Sequence, residues 1–175
     1  QDQQNAPIKR AEVYGDFSHI KADEIHRQLN RQLVGNFFNV EVDSLQAFLQ
    51  QQPWVYQVAV RKQWPGKLVV VVTEHRPVAI WNSNFLLNKR GEVFKAPLAE
   101  LEQPLPHLNG PAGSEEDALA MYSKVQSLLA LHQMAAQSLT VNERFAWEVQ
   151  LNNGIALKLG REATLKRVQR FIDLY

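Results

Sequence analysis

The side chains that could support catalysis are scattered along the chain. Five histidines occur, none of them in H-E-x-x-H or another paired-ligand spacing: His19, His26, His75, His107 and His132. Asp23 and His26 could share one face of a helix, but no third ligand accompanies them. Ser18 and His19 are too close in sequence to form a triad, and no G-x-S-x-G motif is present. The sequence therefore predicts neither a catalytic site nor a metal site.

Composition excludes further kinds of chemistry. The chain has no cysteine, so disulfides, thiolate nucleophiles and cysteine-ligated metal centres are ruled out. Its 19 Lys and Arg nearly balance its 18 Asp and Glu, and the net charge of +1 gives no global attraction to nucleic acid. The 175 residues are enough for one or two globular domains. We expect no cofactor and no nucleic-acid partner, and any contact with nucleic acid or anionic lipid would have to come from a local patch.

Hydrophobic periodicity near the N-terminus predicts a small sheet with helices on one face. The predicted elements are a strand over residues 8–14, a helix over residues 21–33, a helix from residue 43 to Pro53, and strands over residues 55–62 and 68–73. Gly35 should cap the first helix, and Pro65-Gly66 should form a turn between the last two strands. This β-α-α-β-β order predicts an α+β fold.

The last two of these strands differ in character. Residues 68–73 are apolar on both faces, which is typical of a central strand. The preceding strand carries Arg61 and Lys62, the kind of charges that protect an exposed sheet edge. We therefore expect residues 55–62 to lie at the edge of the sheet.

A second mixed module begins at Pro77. Its predicted strands cover residues 78–81, 85–88, 93–94, 138–141, 146–151 and 155–159, with Asn152-Asn153-Gly154 as the hairpin turn between the last two. The Pro- and Gly-rich residues 97–113 predict a rigid extended connection. Ser114 and Asp117 resemble a capping box, and they precede a helix with Ala118, Tyr122, Val125 and Leu129 on its apolar face. A final amphipathic helix is predicted over residues 162–175. The four tryptophans are interpreted as packing anchors.

Two motifs end adjacent predicted strands. One strand runs into Arg61-Lys62-Gln63-Trp64-Pro65, and the next runs into Glu74-His75-Arg76-Pro77-Val78-Ala79-Ile80-Trp81. Leu105-Pro106-His107-Leu108 and Leu157-Lys158-Leu159-Gly160-Arg161 follow, the latter with Arg167 and Phe171 behind it. Together these motifs resemble, in order and over essentially the whole chain, the FtsQ/DivIB family of bacterial cell-division proteins.

The resemblance implies a domain organisation. Residues 8–76 would form a POTRA domain, and residues 77–175 a "β domain" of antiparallel strands with a C-terminal helix. Family members continue into further strands, so we expect this chain to be a truncated piece that lacks them. Residues 1–7 would be a linker that follows a missing N-terminal membrane helix. The whole protein would be anchored in the inner membrane with these domains in the periplasm, at the division septum.

The resemblance also implies a function without catalysis. Family members are divisome scaffolds that bind the FtsB–FtsL pair, link early proteins such as FtsK to late ones, and use β-strand addition. The matching positions are Gln57, Val60, Lys62 and Glu74 on the POTRA domain, and Arg161 on the FtsB side, where Arg167 and Arg170 extend the basic face as further candidate partner-binding residues. From the residues alone, Val60 could equally be a core residue and Lys62 an edge-protecting charge. The basic face formed with Lys158 and Lys166 could equally be simply solvated.

Two other functions stay open at this point. POTRA modules also occur in outer-membrane protein assembly and secretion, although there they usually form repeats followed by a long barrel. A periplasmic enzyme with an unrecognised site is the second alternative, which a convergent group of titratable side chains in a deep pocket would favour.

Overall fold

The computed structural model describes residues 10–33, 41–63 and 66–175. The chain forms two compact units, Gln1–His75 and Arg76–Tyr175. The predicted cap at Gly35 and the proline of the predicted turn at Pro65 lie outside the described residues. No helix within the described ranges combines the length and the apolar character needed to cross a membrane.

The first unit has the predicted β-α-α-β-β order. Its elements are β1 (Arg10–Tyr14), α1 (Ala22–Leu33), α2 (Val42–Gln50), β2 (Val55–Gln63) and β3 (Lys67–Glu74). The sheet order is β1-β3-β2, with β3 parallel to β1 and antiparallel to β2. The central position of β3 and the edge position of β2 are therefore as predicted.

The core of the first unit lies between the sheet and its two helices. Alternate residues of β2 and β3 face Ile25 and Leu29 of α1 and Leu45 and Leu49 of α2, and these strand residues are Val58, Val60, Leu68, Val70 and Val72. β3 is central as predicted, and on its face away from the helices Val69 is 4% exposed whereas Val71 is 44% exposed. Helices cover only the face that carries Leu68, Val70 and Val72.

The second unit is built on a seven-stranded sheet. Its strands are β4 (Pro77–Trp81), β5 (Phe85–Asn88), β6 (Val93–Phe94), β7 (His107–Asn109), β8 (Ala136–Val141), β9 (Trp147–Leu151) and β10 (Ala156–Gly160). Their order is β10-β9-β8-β7-β4-β5-β6, with β7 parallel to both of its neighbours. The two helices are α3 (Glu115–Ala130) and α4 (Thr164–Leu174).

The predicted extended connection over residues 97–113 is wrong in part. It contains a 3₁₀ turn at Leu98–Glu100 and the strand β7, which joins the two halves of the sheet. Ile80 donates its amide hydrogen to Pro106 O at 2.9 Å, and Leu108 is fully buried. A strand of three residues is too short to show a periodic pattern, so neighbouring strands decide its conformation.

The predicted capping box at Ser114 is also wrong. The Ser114 hydroxyl donates to Pro111 O at 2.5 Å, so it closes the turn that precedes α3 and makes no cap bond. Its backbone, with φ −95° and ψ 7°, is not the extended conformation from which an N-cap side chain reaches into the first turn.

Both helices of the second unit contribute their apolar faces to one core. Ala118, Val125 and Leu129 of α3 are buried as predicted, together with Val168 and Ile172 of α4. Trp81 and Trp147 are buried in the same core, 3% and 7% exposed, which agrees with their interpretation as packing anchors.

Candidate partner-binding edges

The first candidate surface is the edge strand β2. Gln57 and Lys62 are exposed on it, whereas Val60 is 7% exposed and belongs to the core. Gln57 pairs with Thr73 and Val60 pairs with Val70, so these two residues lie on opposite faces of the sheet. Gln57 and Lys62 are five residues apart, so their exposed side chains lie on opposite faces of the edge strand, while Val60 packs against the helices.

Glu74, the fourth residue predicted for this surface, lies in the interior. Its side chain is 4% exposed, and its carboxylate accepts hydrogen bonds from the amides of Ser18 at 2.6 Å and His19 at 2.5 Å. The Nδ1 atom of His19 lies 3.0 Å from Glu74 Oε1, and it must carry the hydrogen because the carboxylate can only accept. Glu74 is therefore buried, unlike the exposed Gln57 and Lys62.

The imidazole held by Glu74 packs on the residue that leads into β2. The rings of His19 and Trp54 stack with centroids 3.8 Å apart and planes 8° from parallel. Trp54 is 3% exposed and has a left-handed φ of 72°, and its carbonyl accepts the amide hydrogen of His75 at 2.7 Å. No linear pattern predicts this cluster, since Ser18 and His19 lie 56 and 55 residues from Glu74.

The second candidate surface is the edge strand β10. Among the described strands its single neighbour is β9, with which it pairs from Ala156 onward. A bulge interrupts this pairing between Lys158 and Gly160, and Gly160 has a left-handed φ of 66°. The strand therefore presents one side of its backbone away from β9 and bends before the chain enters α4.

Three arginines predicted to bind a partner lie next to this edge in the sequence, and they do not have the same environment. Arg161 follows β10 directly and is exposed, and Arg170 is exposed on α4. Arg167 also lies on α4, but its Nη1 atom donates to Leu159 O at 2.8 Å. All three arginines are exposed, and Arg167 differs in that its guanidinium is also bonded to the edge strand.

The described residues contain no group of three or more His, Asp or Glu side chains arranged to hold a metal ion. What the two surfaces offer is backbone hydrogen-bonding groups at sheet edges, with cations beside them. Such an edge can pair with an added strand, and the cations can orient a carboxylate on that strand.

Comparison with known proteins agrees with the resemblance seen in the motifs. Residues 6–75 match a family model described as "POTRA domain, FtsQ-type", and residues 79–175 match "Cell division protein FtsQ/DivIB, C-terminal". Both the α+β fold and the order of the two domains are thereby confirmed.

Similar proteins named Cell division protein FtsQ occur in several bacteria. That of Aliivibrio fischeri is 39% identical over 175 residues, which cover 99% of this chain and 68% of the relative. Those of Coxiella burnetii and Escherichia coli are 35% and 34% identical, covering 97% and 100% of this chain and 70% and 64% of the relatives. The chain spans about two thirds of the length of these relatives. Two family models in the expected order and this level of identity show that the chain belongs to the FtsQ/DivIB family of cell-division proteins.

Proposed function

We propose that this chain is a non-enzymatic scaffold of the division machinery that binds other division proteins by β-strand addition. Membership of the FtsQ/DivIB family supports the division role. The observation that best supports β-strand addition is the β10 edge. This strand has one described neighbour and exposed arginines close to it in the sequence. The FtsQ type of the matched POTRA domain favours this function over outer-membrane assembly or secretion.

The β10 side of the second unit is the proposed binding site for FtsB together with FtsL. A strand added on this side of the sheet would gain affinity from main-chain hydrogen bonds and selectivity from its alternate side chains. Arg161 lies at the end of β10 and is exposed, so its guanidinium can form a bidentate contact with a carboxylate of the added strand. Arg170 adds positive charge on α4.

The β2 edge of the POTRA domain is the proposed site for another division protein, with FtsK as the candidate. Gln57 and Lys62 are the exposed side chains assigned to it. An edge on each unit would let one chain hold an early and a late division protein, which is the property that a scaffold needs. The working location is the periplasmic side of the inner membrane at the septum, with anchoring by one N-terminal helix.

A charge reversal at Arg161 tests the FtsB side. In the protein extended to the length of its relatives, we expect Arg161→Glu to weaken binding of a periplasmic FtsB peptide by about tenfold or more, equivalent to roughly 1.4 kcal/mol. Arg161→Lys should restore only part of the affinity, because an ammonium cannot form the bidentate contact. Lys124→Glu, an exposed charge reversal on α3, is the matched control and should leave affinity unchanged.

Titration calorimetry provides the affinities, and a thermal melt of each variant verifies folding. If Arg161→Glu and Lys124→Glu bind the peptide equally well, the assignment of Arg161 is wrong.

A further inference from the structure

The buried carboxylate of Glu74 suggests a role different from direct contact with a partner. It lies at the end of β3, and its backbone pairs with Val55, the first residue of the edge strand β2. Its side chain points to the loop before α1 and accepts the amide hydrogens of Ser18 and His19. One residue therefore ties the end of β3 to both the start of β2 and this loop.

The loop before α1 restrains the start of β2 through the stacked rings of His19 and Trp54. His19 is oriented by its Nδ1 contact with Glu74, and its ring covers one face of the Trp54 indole. A second contact to Trp54 is the hydrogen bond from the His75 amide to its carbonyl, 2.7 Å long. The ring of Trp54 is therefore restrained by the loop that Glu74 organises, and its backbone by the residue that follows β3.

These contacts matter because Trp54 has an unfavourable backbone conformation. Its φ of 72° is rare for a bulky side chain and persists only where the surroundings impose it. The pairing of β2 with β3 is irregular directly afterwards, between Val55 and Gln57. The conformation at Trp54 thus sets the direction in which the chain enters β2 and the face on which Gln57 emerges.

We propose that Glu74 is a positioning residue that orders the start of the β2 edge through His19 and Trp54, without touching the partner. This inference rests on the proposed binding function of that edge. At 8% exposed, Glu74 itself is buried away from that edge. Within the POTRA domain, Gln57 and Lys62 would be the residues that meet the partner.

The first measurement is hydrogen exchange in the full chain. In Glu74→Gln the amide nitrogen of the new side chain faces a backbone donor, so one of the two hydrogen bonds to Ser18 and His19 is lost. We expect the amide that loses its acceptor, Ser18 or His19, to exchange at least tenfold faster, and the Trp54 indole resonance to shift. Unchanged exchange in Glu74→Gln overturns the proposal.

The second measurement separates positioning from contact. His19→Phe keeps a ring on Trp54 and should leave division near normal when it is the sole copy of the full-length protein in a dividing bacterium. His19→Ala removes the stack but leaves Glu74 in place, and it should reproduce the filamentation caused by Glu74→Gln. Filamentation in Glu74→Gln with normal division in His19→Ala would mean that Glu74 acts by direct contact, against the proposal.

A third variant distinguishes failure of this inference from failure of the proposed function. Lys62→Glu alters the exposed edge and leaves the Glu74 cluster intact. We expect it to cause filamentation with wild-type exchange at Ser18 and His19. Normal division in Lys62→Glu and in Glu74→Gln would overturn the role of the β2 edge in binding, and with it the role of Glu74 in that function. Normal division in Glu74→Gln alone would overturn only the positioning role.

Discussion

Arg167 on α4 donates a hydrogen bond from Nη1 to the carbonyl oxygen of Leu159 in β10, over 2.8 Å. The helix is thereby bonded to the edge strand on which the proposed FtsB site depends. The contact fixes the start of α4 relative to the last residues of β10, where the pairing with β9 is interrupted by a bulge.

Removal of this guanidinium should loosen the end of β10. We expect Arg167→Ala to lower the free energy of unfolding by about 1 kcal/mol, because the partly buried Leu159 carbonyl loses its donor. Urea denaturation gives the free energy, and hydrogen exchange locates the effect in β10. Arg170→Ala, an exposed arginine on the same helix, is the control and should change stability by less than about 0.5 kcal/mol. Equal losses in the two variants would contradict this role of Arg167.

Gly160 and Arg167 should show energetic coupling. A Cβ atom at position 160 would lie 2.5 Å from Arg167 Nη1, and the left-handed φ of 66° disfavours a side chain there in any case. Gly160→Ala should therefore displace the Arg167 guanidinium. Its cost in free energy of unfolding should be larger in the wild-type protein than in a protein that already carries Arg167→Ala. A double-mutant cycle measures this difference, which we expect to be about 0.5–1 kcal/mol. Strict additivity would mean that the two positions act independently.

Two leucines near the end of α3 differ sharply in burial. Leu129 is fully buried in the core of the second unit, whereas Leu131 is 79% exposed. Leu129→Ala should reduce the free energy of unfolding by about 2–5 kcal/mol, through lost burial and the cavity that remains. Leu131→Ala should stay within about 0.5 kcal/mol of wild type. Calorimetry gives the melting temperatures of the two variants, and similar values would contradict the placement of this helix.

The ion pair at β1 should make stability depend on acid pH. Lys67 Nζ lies 2.8 Å from Glu12 Oε2, and hydrogen bonds from Lys67 and Tyr14 hold the pKa of the Glu12 carboxyl below its usual value of 4.5. Because the pKa of Glu12 is lower in the folded state than in the unfolded state, its stabilising effect is present above the unfolded-state pKa. The effect is lost as the pH falls through the folded-state pKa. The urea concentration at the midpoint of unfolding, measured at about pH 2–7, should fall less at acid pH in Glu12→Gln than in wild type. Identical pH profiles would remove Glu12 as a source of this dependence.

The phenol of Tyr14 provides a second measure of the same contact. Its hydrogen bond to Glu12 raises the pKa of Tyr14 above 10.0. In Glu12→Gln the acceptor no longer carries a charge, so ultraviolet titration should show the Tyr14 pKa return towards its usual value.

Much of the fold could be predicted from the order of residue types. The β-α-α-β-β order, the edge position of β2 and the hairpin at Asn152-Asn153-Gly154 follow from local periodicity and turn chemistry, and all three are present. The family could also be predicted, since its motifs are contiguous stretches of sequence. Conversely, β7 was missed because its three residues become a strand only when β4 and β8 pair with them.

The sequence by itself determined the fold class, the family and the residue types that are available at each edge, because these depend on neighbours along the chain. Only the tertiary structure decided which of those residues are exposed. It buries Glu74 against amides 55 and 56 residues away, bonds Arg167 to Leu159, and leaves Gln57, Lys62 and Arg161 exposed. The physical reason is that burial and hydrogen-bond partners are set by contacts between distant segments, on which local periodicity carries no information.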